Sequence, residues 1–180
     1  TGIRLDGSGA ATLNGGTVTS AKWGVTVFNE ATLTVNGAAV TSSGDAAIST
    51  NGNAGQNATI VINSGEITST NDIAIYQPSG DVTITGGTIT GATAVYQKSG
   101  VLTVSGGELV ATGAAAAFDH NGNGANATGD VIVVESCNYP NGAPAAMLSG
   151  NATLTVTDAS AKQIGYYEKN TDAAGSVTST

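Results

Sequence analysis

The stretch Asp81-Val-Thr-Ile-Thr-Gly-Gly-Thr-Ile-Thr90, followed by Ala94-Val-Tyr-Gln97, decides the fold. Its apolar residues recur at every second position, Val82 and Ile84 with Thr83 and Thr85 between them, which is strand alternation and not helix periodicity. The pattern returns as Val101-Leu-Thr-Val-Ser-Gly-Gly-Glu-Leu-Val110 with Ala116-Ala-Phe-Asp119. Earlier copies begin at Thr59, Thr32 and Ala11, and two divergent ones begin at Ile132 and Leu154. With Ile84 as marker, the equivalents are Leu13, Val35, Ile62, Val104, Val134 and Val156. The spacing sets a basic unit of about 20 residues with longer insertions, the kind of period that signals stacked repeats.

A unit of that size cannot bury its own apolar face, but stacked copies can. Each copy pairs in parallel with the next at about 4.8 Å, and like residues line up in interior columns. The fold expected is all-β: a right-handed parallel β-helix of about seven turns of roughly 20–30 residues, forming a single domain over residues 1–180. The handedness follows the rule for parallel crossovers. Four interior columns are expected. They run through Leu33, Ile60, Val82, Leu102, Ile132 and Leu154; through the Ile84 marker set; through Val18, Val40, Ile67, Ile89 and Leu109; and through Ile3, Val27, Ile48, Ile75, Val95, Ala117, Met147 and Tyr166. Gly-Gly pairs fall where one strand bends into the next. An antiparallel sandwich is the competing fold, but it would not need columns that match turn after turn. Gly2-Ile-Arg-Leu5 reads as the last strand of a preceding turn and Gly175-Ser-Val-Thr-Ser-Thr180 as the opening of another. The chain therefore reads as a segment of a longer repeat protein, with open strand edges that favour end-to-end self-association.

Composition narrows the function. The 180 residues include 26 Gly but only 10% charged residues, against about 25% in an ordinary domain. Five basic residues face 13 acidic ones, a net charge of −8, which argues against nucleic acid as a partner. No apolar run reaches the length of about 20 residues that a membrane helix needs. The single cysteine, Cys137, excludes an internal disulfide and reads as a buried inert thiol. Low charge, few Lys and abundant Thr, Asn, Gly and Ala fit an extracellular protein, secreted or on a bacterial cell surface. The sequons at Asn57, Asn126 and Asn151 are accounted for by the repeat itself.

One outward column concentrates the aromatic residues. If Val95 points inward, Tyr96 points outward, and the same position reads Arg4, Phe28, Ser49, Tyr76, Tyr96, Phe118, Leu148 and Tyr167. Beside it run Asn29, Thr50, Gln77, Gln97 and Asp119. Aromatic faces flanked by amides and a carboxylate suit a sugar ring, so Tyr76, Tyr96, Gln77, Gln97, Phe118 and Asp119 form the candidate ligand-binding site. The alternative is that the rings pack on each other and on neighbouring structure. Insertions at residues 49–57 and 118–129 would wall a shallow cleft floored by Tyr76 and Tyr96. The second of them gathers Asp119, His120, Asn121 and Asn123, but one carboxylate is thin provision for calcium, which takes six to eight oxygens. No metal site and no cofactor are expected.

Catalysis has little support. Glu66 and Glu108 are equivalent positions two turns apart, about 9.6 Å at the strand spacing, near the upper end for inverting glycosidases. The same column also holds Thr17, Ala39 and Thr88, so it simply accepts polar residues. His120 is the only histidine and has no nucleophile beside it. Outward threonines at 12, 34, 83 and 103 raise ice binding, but Val61 and Val133 interrupt the array and Thr is a good strand residue for any solvated face.

Gly80-Asp-Val-Thr-Ile-Thr-Gly-Gly-Thr-Ile-Thr90 and Ser99-Gly-Val-Leu-Thr-Val-Ser-Gly-Gly-Glu-Leu109 resemble the β-helical repeats of large bacterial surface and secreted proteins. They look like the pectate-lyase-like superfamily in its non-catalytic, adhesin or carbohydrate-binding form. Catalytic members use an acidic calcium cluster with a basic residue on one face. Here the sole arginine is Arg4 and no acidic triplet stacks opposite it. The expected function is therefore non-enzymatic: an adhesin or polysaccharide-binding module whose partner is a polysaccharide or host glycan. The alternatives are a structural stalk of a cell-surface protein and, behind it, a polysaccharide lyase or glycoside hydrolase.

Overall fold

The computed structural model describes residues 1–50, 57–113, 129–136, 145–148, 151–156, 161–169 and 177–179. Every regular element among them is a strand. Nearly all strand pairs are parallel, and they form three ladders that the chain visits in a fixed order.

The first ladder contains Ala10–Leu13, the opening halves of Thr32–Ser42 and Thr59–Ser69, Asp81–Ile84, Val101–Val104 and Ala145–Leu148. The second contains Thr17–Ser20, the closing halves of the same two long strands, Thr88–Gly91, Glu108–Ala111 and Thr153–Val156. The two long strands run through both ladders and join them into one curled sheet. The third ladder, a separate sheet, contains Ile3–Leu5, Val25–Val27, Ile48–Thr50, Ile75–Gln77, Val95–Gln97, Ile132–Ser136 and Ile164–Lys169. This order is compatible with a parallel β-helix or another solenoid.

Alternation puts one set of side chains inside all three ladders. Leu33, Ile60, Val82 and Leu102 lie in register, as do Val35, Ile62, Ile84 and Val104, and Val40, Ile67, Ile89 and Leu109. With Val25, Ile48, Ile75, Val95 and Ile132 from the third ladder they form one fully buried cluster. Each such side chain contributes roughly 1.5–3 kcal/mol by leaving water, which a chain with few large apolar residues obtains by placing nearly all of them here.

The later columns differ from the sequence expectation. Ile132 pairs with Val95 in the third ladder and Leu154 with Leu109 in the second, so neither joins the Leu102 column. Leu148, not Val134, follows Val104 at the marker position, and Val156 pairs with Ala111. Met147 pairs with Thr103 on the outer face, 55% exposed, and Ile164 follows Ile132 where Tyr166 was expected. All three ladders share the same period of two, so an alternating strand does not reveal its ladder once a long insertion precedes it. At the start of the chain, Val25 and not Val27 matches Ile48, a two-residue shift that keeps the same face inward. Val177–Ser179, expected to open a further turn, pairs antiparallel with Ile164–Lys169. Ala117 lies outside the described residues.

Candidate functional site

The aromatic residues sit on the outer face of the third ladder. Ile75 and Val95 point into the main core, so Tyr76 and Tyr96 point away from it, in direct register with each other. Their ring centroids are 6.1 Å apart in an edge-on arrangement, and the Trp23 ring lies 6.4 Å from Tyr76, tilted by 43°. The two-residue shift removes Phe28 from this row, which reads Arg4, Thr26, Ser49, Tyr76, Tyr96 and Val133. Phe28 instead packs under the Arg4 guanidinium, 4.3 Å from ring centroid to carbon. Leu148 belongs to the first ladder. Phe118 and Asp119 lie outside the described residues, as do His120, Cys137 and most of the insertion at 118–129.

The rings do not floor an open cleft. Tyr76 is 6% exposed and Tyr96 1%. With Ala46, Ile73 and Val133 they form a second apolar cluster, separate from the main core and flanked by Trp23. Such a cluster is what outward aromatics form when they are covered: the sheet acquires a small core on its other face.

The two glutamines also depart from expectation. Alternation that turns Tyr76 and Tyr96 outward must turn Gln77 and Gln97 inward, and both are fully buried, in the column that also holds Val27, Thr50 and Val134. Gln77 Nε2 donates to the carbonyls of Gly80 and Val101 at 2.9 and 3.0 Å, and Gln97 Nε2 donates to the Gly100 carbonyl at 2.8 Å. Thr50 Oγ1 makes the equivalent bond to the Ser79 carbonyl at 2.8 Å. These side chains satisfy carbonyls at the corner between the third and first ladders, a structural task. They do not flank the rings.

Two residues that the sequence reading passed over complete the outer cluster. Lys98 and Glu135 are both fully buried, with Lys98 Nζ 3.8 Å from Glu135 Oε1. The same ammonium lies 5.8 and 5.6 Å from the ring centroids of Tyr76 and Tyr96, within range of a cation–π attraction. The Tyr96 hydroxyl donates to Glu135 Oε2. The signal was available as parity: Lys98 lies two residues after Tyr96 and Glu135 two after Val133, and those strands are neighbours.

The remaining candidates are solvated. Glu66 and Glu108 flank Thr88 in register and both are exposed. The outward row Thr12, Thr34, Val61, Thr83, Thr103 is observed, broken by valine as expected. An external amide row joins Asn14, Asn36 and Asn63, each Oδ1 accepting a hydrogen bond from the next residue in the row, and it ends on the Thr85 hydroxyl, which donates to Asn63. Asp72 is the unusual carboxyl: burial, with the nearby Asp45 charge adding to it, raises its pKa to about 6 against the pull of the Ile73 N–H. The opposite holds at Asp6, lowered by its bonds to Arg4 and to the Gly7 N–H. Among the described residues no group of three or more His, Cys, Asp and Glu could hold a metal ion.

Neither a protein family, nor a curated protein, nor a solved structure matches the chain.

Proposed function

We propose that the chain is a segment of a right-handed parallel β-helix, similar to the non-catalytic pectate-lyase-like type, and that it serves as a rigid spacer within an extracellular bacterial surface protein. The observation that carries this reading is the in-register order of the ladders: the chain crosses first, second and third, then returns to the first one strand further along. Parallel crossovers of this kind are right-handed in nearly all proteins. Each circuit would advance the stack by about 4.8 Å, so length is set by the number of repeats.

The burial of Tyr76 and Tyr96 favours the spacer over a polysaccharide-binding role for this column, because a sugar ring needs an open aromatic face. The inward glutamines point the same way, since they secure corners of the stack. In this reading the outer Thr and Asn rows keep a weakly charged surface wetted, and no catalytic step is assigned to the chain.

Inserting three further copies of residues 81–100 after Gly100 tests it. The spacer reading expects a folded protein whose longest dimension in small-angle scattering grows by about 14 Å, three strand spacings, and no saturable signal for the parent chain on a polysaccharide array. Loss of folding or an unchanged length would overturn the β-helix. Saturable binding of one glycan class would overturn the spacer role and restore adhesion.

A further inference from the structure

Among the described residues two asparagines of the outer amide row precede a glycine, Asn14 before Gly15 and Asn36 before Gly37. Their corners are built differently. Asn36 is half-buried and tied at both ends of its amide: Nδ2 donates to Asn14 Oδ1 at 3.1 Å, and Oδ1 accepts from Asn63 Nδ2 at 2.9 Å. The following repeat also lies on its corner, since a Cβ on Gly65 would stand 3.2 Å from the Gly37 carbonyl carbon and 3.0 Å from the Ala38 nitrogen. Later corners nest in the same way, Gly87 on Gly65 and Gly107 on Gly87. The Asn14 corner is not covered like this. A Cβ on Gly37 would meet only Ser64 Oγ, at 3.9 Å, so the Asn36 corner does not sit on it. Asn14, Gly15 and Gly16 are all exposed, and a Cβ on either glycine would meet nothing within 4 Å. The repeats rejoin past the bend, where the Ala39 N–H donates to the Gly16 carbonyl at 2.9 Å. Among the described residues the Asn14 side chain has the one hydrogen bond from Asn36.

We propose that Asn14 is a site of spontaneous conversion to aspartate and isoaspartate, and that the fold selects it over Asn36. The Gly15 nitrogen, with no Cβ beside it to shield it, loses its proton to hydroxide and attacks Asn14 Cγ. An N–C bond forms, the Cγ–Nδ2 bond breaks, and Nδ2 leaves as ammonia with a proton from water. The product is a cyclic imide. Water then adds to one of its two carbonyls. Breaking the new Cγ–N bond gives aspartate, and breaking the original peptide C–N bond gives isoaspartate, whose main chain runs through Cγ. Water and hydroxide are the only co-reactants. The attack requires the amide to swing towards its own backbone, which the open corner permits at Asn14 and the double tether and the covering repeat oppose at Asn36. Aspartate at this position keeps an acceptor for the Asn36 amide, and the space around Gly15 and Gly16 accommodates the longer isoaspartate backbone. The inference is independent of the spacer reading.

Incubating the folded chain at mildly alkaline pH tests it, with peptide mapping by mass spectrometry over time. The Asn14 peptide should gain the mass difference between a hydroxyl and an amino group, resolve into aspartate and isoaspartate forms, and convert several-fold faster than the Asn36 peptide in the same sample. In urea the two rates should converge, because both asparagines precede glycine. Gly15→Ala should slow conversion at Asn14 and leave Asn36 unchanged. Equal rates in the folded chain, or an excess at Asn14 that persists in urea, would overturn the proposal.

Discussion

Replacing Gly100 with alanine should be among the most damaging single-atom additions to this protein, and the reason is the stacking of one corner on the next. Gly100 has φ +76°, and a Cβ there would lie 2.8 Å from the Gly80 carbonyl carbon, 3.1 Å from the Gly80 nitrogen and closer still to the Gly80 oxygen. Gly7 provides the control. Its φ is +72°, but a Cβ there meets nothing within 4 Å. Both variants force alanine into the left-handed region at about 1–2 kcal/mol. Only Gly100→Ala must also push apart two stacked backbones that belong to different repeats, an overpacking term of roughly 1–3 kcal/mol or more. The expected losses are therefore about 1–2 kcal/mol for Gly7→Ala and about 2–5 kcal/mol for Gly100→Ala. At roughly 2–4 °C per kcal/mol for a chain of this size, Tm should fall by about 2–8 °C and 4–20 °C respectively. Urea unfolding and calorimetry on both variants measure this. Equal losses would refute the reasoning, because they would leave only the shared backbone conformation and remove the contact between repeats.

Other outcomes follow from the same contacts. Ile89→Ala empties a fully buried position between Ile67 and Leu109 and should cost about 2–5 kcal/mol in denaturant unfolding. Gln97→Leu keeps the volume but strands the Gly100 carbonyl that Gln97 satisfies, which should cost about 1–3 kcal/mol. Gln97→Glu should be worse than Leu at neutral pH, since a carboxylate can only accept. Asp72 reports on pH. Its pKa of about 6 in the folded protein lies above the ordinary 3.8, so the folded state holds the proton more tightly and this group's contribution is greatest below the ordinary value, lost as pH rises through about 6. Asp72→Asn removes the charge and retains an acceptor for the Ile73 N–H. The variant should melt higher than the parent at neutral pH and show no gain near pH 3.5. A uniform shift at both pH values would contradict the assignment.

How far the sequence was legible depended on what period two can and cannot say. From Thr32 to Val110 the apolar columns read directly, because Leu33, Ile60, Val82 and Leu102 recur with the same glycine corners between them. Beyond Ala111 the β-branched run Ile132-Val-Val134 still reads as a strand, but nothing local distinguishes one ladder from another, so strand existence was readable and strand placement was not. The site was legible in one respect, the outward gathering of Tyr76 and Tyr96. Their burial was not, because alternation reports which face a residue takes and says nothing about whether that face is covered. Gln77 and Gln97 could have been placed correctly by the same parity argument, since they neighbour the tyrosines in the strand and so take the opposite face. Lys98 and Glu135 were hidden by habit of composition: charged residues are assigned to solvent unless a partner is known, and theirs comes from a neighbouring strand many residues away.

The central claim is that successive repeats stack in parallel and in register, including after the long insertion. Spin labels on the outer row of the second ladder measure it directly, in a Cys137→Ser background. Thr19 and Thr90 lie three ladder steps apart, through Thr41 and Thr68, and Thr19 and Thr155 lie five, through Val110 as well. Stacking at about 4.8 Å per step predicts backbone separations of about 14 and 24 Å, rising in proportion to the step number. Dipolar distances that do not follow this order, with the Thr155 label no farther from Thr19 than the Thr90 label, would contradict the account.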